Sequence, residues 1–163
     1  MHHDCSRKRD WPKVHIAQEL YEGVSIGSEN GGMTGLITYM RTDSLRISDE
    51  AREAAKQYII SAYGDKYYPA SPRIYKAKAD AQDAHEAIRP TNVTITPDLV
   101  KKYLSSDQYK LYRLIWERFV ASQMASAQLE QTSVLIGSGK YEFTANGTVV
   151  TFKGYKEVYE EPV

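Results

Sequence analysis

A tyrosine, an arginine and an aspartate stand at alternate positions, Tyr39, Arg41 and Asp43, within the run Gly-Leu-Ile-Thr-Tyr-Met-Arg-Thr-Asp-Ser over residues 35–44. In a strand, side chains at i and i+2 share a face, roughly 6–7 Å apart. A strand here therefore sets a phenol, a guanidinium and a carboxylate side by side, with Ile37 on the same face and Leu36, Thr38 and Met40 on the other. A phenol can attack a phosphodiester and hold it as a phosphotyrosine ester. Its ordinary pKa of about 10 calls for nearby positive charge or a proton acceptor. An adjacent arginine can neutralise the phosphate and stabilise the charge that builds in the transition state. A second group lies in Ala-Gln-Asp-Ala-His-Glu-Ala-Ile-Arg-Pro-Thr, residues 81–91. If that segment is helical, His85 and Arg89 are one turn apart and Ala81, Ala84 and Ile88 face inward. A histidine and an arginine offered together can hold a phosphate or position a nucleophile. Each group also has a plainer reading, a core tyrosine beside a surface arginine and a solvated pair at a helix end. On spacing alone those plainer readings lead.

The elements that must position these residues can be read from local signals. Residues 14–22 read as the tail of a helix closed by Gly23, and the glycine- and serine-rich stretch 25–34 as a loop delivering the chain into the Tyr39 strand. Ser48 is a good N-cap, with Asp49 and Glu50 suiting the dipole of the helix that follows. Ala51, Ala54, Ala55, Tyr58, Ile59 and Ala62 then recur at helical spacing until Gly64. Residues 64–78 read as a loop punctuated by Pro69 and Pro72, and 79–89 as a short helix ended by Pro90. Thr96-Pro97-Asp98 starts another short helix, with proline in its favoured first position. The longest helix runs from Asp107 to about Ala125, with Leu111, Leu114, Ile115 and Phe119 on its buried side. Beyond it the pattern turns to β: residues 129–136, a turn at 137–139, then 141–145 and 148–153 joined by Asn146-Gly147, a strong hairpin signal. The expected fold is therefore α+β. A mainly helical domain, helix-turn-helix or winged-like with a short strand carrying Tyr39, occupies residues 14–126. Antiparallel strands of a second domain occupy 127–163, and residues 1–13 read as a tag-like remnant.

Composition bounds the possibilities. At 163 residues, 42% hydrophobic and 26% charged, the chain has the makeup of a globular protein. No apolar run approaches the roughly 20 residues that span a bilayer, so no membrane partner is expected. A single cysteine, Cys5, excludes an internal disulfide and a cysteine-rich zinc site. Basic and acidic residues balance at 21 each. Phosphate binding therefore has to come from a local cluster, such as the stretch holding Arg73, Lys76 and Lys78, and not from a global excess.

Read as strings, the two motifs closely resemble the type IA DNA topoisomerases. Gly-Leu-Ile-Thr-Tyr-Met-Arg-Thr-Asp-Ser is followed some 40 residues later by Ala-His-Glu-Ala-Ile-Arg-Pro-Thr. Ile16–Gly23 and Tyr112–Met124 resemble the family's flanking helices, so the likeness covers residues 15 to about 160. Met40 and Glu86-Ala87-Ile88-Arg89 resemble the bacterial topoisomerase I branch more than the topoisomerase III branch. The resemblance implies an ATP-independent, magnesium-dependent enzyme that relaxes negatively supercoiled DNA through a transient single-strand break. Tyr39 would attack and become joined to the 5′ phosphate, with Arg41 on the scissile phosphate and His85 in the phosphate-contacting network. Arg89, Asp43 and Ser44 are motif neighbours expected at the DNA, Arg89 being open to a structural role instead. Leu45 departs from the family's common threonine, a change outside the chemistry.

No counterpart of the family's acidic, metal-binding toprim domain is found. Magnesium ligands are expected in that domain and none in this chain. The chain thus reads as the tyrosine domain plus the opening strands of the arch domain, inactive alone. Its expected partners are single-stranded segments of supercoiled DNA and the enzyme's remaining domains, in the bacterial cytoplasm at the nucleoid. Two other classes stay open on the residues themselves. One is a non-enzymatic, single-stranded-DNA-binding helical module with salt-sensitive phosphate contacts. The other is a recombinase-like enzyme that joins to a 3′ phosphate.

Overall fold

A computed structural model describes residues 7–75 and 85–160, with side chains from Val14 onward. Helix α1 spans Arg7–Glu22 and hands over at Gly23 to a small ribbon of β1 (Val24–Ser25) and β2 (Met33–Thr34). Helix α2 spans Asp49–Tyr63, α3 Pro97–Val100 and α4 Ser106–Gln123. Strands β3 (Gln128–Ser138) and β4 (Tyr141–Phe152) form an antiparallel hairpin. The mixed α+β architecture is the one the sequence implies.

Capping sets the helix starts. Ser48 Oγ accepts the Ala51 amide, Thr96 Oγ1 accepts the Leu99 amide, and Ser105 with Gln108 forms a reciprocal capping box on α4. The helices close on one core. From α1 comes Leu20, from α2 Ala55 and Ile59, and from α4 Tyr112, Trp116 and Val120, all buried. Two polar tips inside it are satisfied: Tyr112 Oη donates to the Ile95 carbonyl (2.6 Å) and Trp116 Nε1 to that of Val93 (2.9 Å).

Five sequence expectations need correction. The buried stripe of α4 is rotated from the expected one. Phe119 is inside, but Leu114 is 42% exposed and Leu111 and Ile115 are only partly covered. The aromatic rings of Tyr112 and Trp116 take the inward positions instead, because each finds a carbonyl for its polar tip. On α2, Ala54 and Ala62 are exposed, so its buried stripe is narrower than the alanine pattern suggests.

The hairpin turn falls at Gly139-Lys140 and not at Asn146-Gly147. Gly139 has φ 61°, the positive value that a two-residue II′-type connection requires at its first position. Asn146 and Gly147 lie mid-strand opposite Ser133 and Thr132, and Ser133 Oγ donates to Asn146 Oδ1 (2.7 Å). One long hairpin therefore replaces the three shorter strands. A bulge at its base leaves Thr151 between the Gln128↔Phe152 and Leu129↔Val150 pairs. One hairpin face is apolar, carrying Val134, Ile136, Phe143 and Tyr141, and all four are exposed. The base is tied down by the Phe152 ring against Tyr67 at 4.9 Å and by Tyr155 N–H donating to the Ala125 carbonyl.

The strand expected over 35–44 shrinks to a single bridge, Ile37↔Pro90. Proline has no N–H, so a ladder beginning on Pro90 cannot propagate through it. Beyond Tyr39, the chain's own hydroxyls take up the amides: Thr42 Oγ1 accepts Ser44 N–H and Ser44 Oγ accepts Arg46 N–H. The alternation fails with it, since Leu36 and Ile37 are both buried. The expected helix over 79–89 lies outside the described residues up to 84, and residues 85–89 are not helical. Their amides are committed elsewhere: Ala87 N–H donates to the Arg46 carbonyl and Arg89 N–H to Thr38 Oγ1. Ile88, expected inside, is 40% exposed.

Candidate active site

The two motifs, far apart in sequence, are stitched along their backbones. Thr38 N–H donates to the Arg89 carbonyl (2.9 Å), Thr91 N–H to the Leu36 carbonyl (3.0 Å) and Thr91 Oγ1 to the Gly35 carbonyl (2.7 Å). Ala87 N–H closes the far side on the Arg46 carbonyl (2.8 Å). This seam places the Tyr39 ring against His85, with centroids 5.3 Å apart and planes at 29°. Tyr39 also makes an edge-to-face contact with Tyr21 of α1, at 5.4 Å and 70°. Tyr39 is half-buried.

Gly35 lets this approach happen. A Cβ there would stand 2.6 Å from the Tyr21 carbonyl oxygen, where Leu36 N–H donates to the Leu20 carbonyl at 2.7 Å. The end of α1 and the Tyr39 segment can only meet so closely through a residue without a side chain.

The remaining expected site residues divide. Arg41 and Asp43 are exposed, and Arg41 lies on the wall of an apolar groove of about 580 Å³ shared with Met40, Leu45, Ile88, Leu111 and Leu114. This groove accounts for the outward leucines of α4. Ser44 is buried at 5% exposure, its hydroxyl accepting the Arg46 amide, so it shapes the turn after the motif.

Arg89 turns inward. Its Nε donates to Glu86 Oε2 at 2.9 Å, Nη2 bonds the same oxygen and Nη1 donates to the Pro90 carbonyl at 3.0 Å. Its side chain is 14% exposed. That geometry is a brace across 86–90, not a helical pair with His85. Burial works to raise the Glu86 pKa, yet hydrogen bonding and charge from Arg89, with help from Ser48 and Arg46, hold the carboxyl below its usual range. Of the basic stretch, Arg73 donates to Ser126 Oγ (2.6 Å), while Lys76 and Lys78 lie outside the described residues.

Among the described residues, no three His, Cys, Asp or Glu side chains cluster as a metal would require. The described residues therefore present no such ligand set for a magnesium ion. No helix among them is long and apolar enough to cross a membrane. Thr38 is the residue that sequence reading missed. Its hydroxyl was legible only as a polar atom one position before the tyrosine.

Comparison with known proteins identifies the family of the chain. A family model described as DNA topoisomerase matches residues 11–163. DNA topoisomerase 1 of Rickettsia conorii is 50% identical over 151 residues, covering 91% of this chain and 19% of that protein. DNA topoisomerase 1 of Rickettsia felis is 50% identical over 153 residues, covering 92% of this chain and 19% of that protein. The solved structure of full-length topoisomerase I from Thermotoga maritima matches with a TM-score of 0.76 at 44% identity, over 92% of this chain and 23% of that one. The chain thus spans about a fifth of the length of the curated relatives it matches. With a family model covering nearly its whole length and relatives at half identity, the chain belongs to the DNA topoisomerase family.

Proposed function

We propose that this chain carries the nucleophile side of a type IA topoisomerase, an ATP-independent enzyme that relaxes negatively supercoiled DNA. Residues 14–126 form its tyrosine domain and 127–163 the first strands of an arch domain. The observation that supports this reading best is the Tyr39–His85 stack, which joins the two family motifs at one point. In the proposed reaction the Tyr39 Oη attacks the scissile phosphorus of a single strand and gives up its proton. The bond from phosphorus to the 3′ oxygen breaks, and that oxygen takes a proton to leave as a 3′ hydroxyl. The 5′ phosphate stays on Tyr39 as a phosphotyrosyl ester. Attack by the freed hydroxyl reverses every bond change, resealing the strand after the other has passed.

Exposed Arg41 supplies positive charge at the phosphate, and His85, held against the phenol, supplies a second phosphate contact. Asp43 lies at the DNA surface, whereas Arg89 and Ser44 shape the frame. Magnesium and its ligands belong to a toprim domain elsewhere in the enzyme, which acts at the nucleoid in the bacterial cytoplasm. The chain alone is inactive for want of that domain.

The test is Tyr39→Phe in the enzyme containing this chain. The variant keeps the ring stack and much of the DNA binding, and loses all covalent capture of a labelled single strand. A surviving adduct would show Tyr39 to be the wrong residue.

A further inference from the structure

Tyr39 sits on a segment with only one β-bridge, so its ring position depends on what anchors its immediate neighbours. The nearest anchor is Thr38. Its hydroxyl commits its one donor and an acceptor site to the opposite motif, donating to the Ala87 carbonyl (2.8 Å) and accepting the Arg89 amide (3.0 Å). The Arg89 carbonyl lies farther from the hydroxyl, at 3.4 Å, and is already served by the Thr38 amide at 2.9 Å. Thr38 thus joins the position before the tyrosine to the second and fourth positions after the histidine. From these contacts we propose that Thr38 is a positioning residue whose hydroxyl clasps the two motifs and fixes the Tyr39 phenol face to face with His85.

The inference rests on the reading of Tyr39 as the nucleophile. The clasp is separable from folding. Without the hydroxyl, the Thr38 amide still reaches the Arg89 carbonyl, and the Thr91 amide still reaches Leu36. The two segments stay paired, but the bonds that fix their relative slide are gone. Displacing a reacting group by about 1 Å can cost on the order of 100-fold in rate.

The test compares Thr38→Val, which keeps the β-branched shape, with Thr38→Ser, which keeps the hydroxyl, in the full-length enzyme containing this chain. Three quantities are read: single-turnover cleavage of a labelled single-stranded oligonucleotide, the Kd for that oligonucleotide, and the NMR shifts of the His85 ring. The Val variant is expected to cleave roughly 10- to 100-fold more slowly, with Kd unchanged within about twofold. Its His85 resonances lose the ring-current shift that Tyr39 imposes, and the Ser variant restores both rate and shift. Wild-type cleavage by the Val variant, or His85 resonances that do not move, overturns the proposal. If the Val variant fails to fold, exchange of the Arg89 amide in the unaltered protein decides instead. Slow exchange supports the clasp and fast exchange refutes it. Failure of the reading beneath it looks different: Tyr39→Phe still forms an adduct, while the His85 shifts continue to report on Thr38.

Discussion

Replacing Gly35 with alanine puts the packing beneath the tyrosine to a direct test. The new Cβ would meet the Tyr21 carbonyl oxygen at 2.6 Å. An ordinary contact between carbon and oxygen is roughly 3.3–3.6 Å, so the segment has to retreat by about 0.7–1.0 Å. The obstacle is helix backbone, which cannot swing aside as a side chain could. Retreat stretches the Leu36 N–H to Leu20 carbonyl bond from 2.7 Å to about 3.4–3.7 Å, past the hydrogen-bond range, and its loss costs about 1 kcal/mol. Overpacking in a closed contact costs about 1–3 kcal/mol, and the two terms overlap because one movement relieves the other. A net loss of about 1–3 kcal/mol corresponds to a fall in Tm of roughly 3–10 °C for a chain of this size. Thermal unfolding followed by far-UV circular dichroism reads that fall. The Tyr21–Tyr39 edge contact, 5.4 Å between centroids, should loosen and shift both rings' NMR resonances. A Tm within about 1 °C of the unaltered chain, with both rings unmoved, would refute the close approach and the positioning role given to α1.

Two further outcomes follow from the structure. The folded state holds the Glu86 carboxyl below its ordinary range. Its contribution to stability is therefore complete above the ordinary carboxylate pKa of 4.5 and lost as pH falls through the lower folded value. Stability measured against pH should fall more steeply in acid for the unaltered chain than for Glu86→Gln, and parallel curves would contradict the Arg89 brace. Ser105→Ala removes the capping box of α4 and should cost about 1 kcal/mol, read as a drop of roughly 2–4 °C in Tm. An unchanged Tm would mean that the start of α4 is fixed by tertiary contacts alone.

Local signals made the helices legible. Ser48, Thr96-Pro97 and the closing glycines Gly23 and Gly64 mark ends whose chemistry is complete within a few residues. Local signals are silent where partners come from afar. A run of β-prone residues at 35–44 gave no sign that its only bridge partner would be Pro90, or that Arg46 and Thr38 would claim the amides of 87 and 89. Asn146-Gly147 carries the stronger turn signal, yet pairing along eleven β3 residues keeps it in the strand and moves the reversal to Gly139. The candidate site residues Tyr39 and His85 are marked by their motif strings, and their contact is the tertiary consequence of a seam that spacing cannot show. Arg89 is open between phosphate contact and support, and its bonds to Glu86 and Pro90 favour support.

In the proposed reaction Tyr39 cleaves DNA by becoming joined to a 5′ phosphate. That step is tested most directly by trapping the enzyme containing this chain on a single-stranded oligonucleotide, digesting the complex and identifying the modified peptide by mass spectrometry. The expected product is a nucleotide joined through its 5′ phosphate to Tyr39, with a 3′ hydroxyl on the released strand. An adduct on another residue, or one joined through a 3′ phosphate, would contradict it.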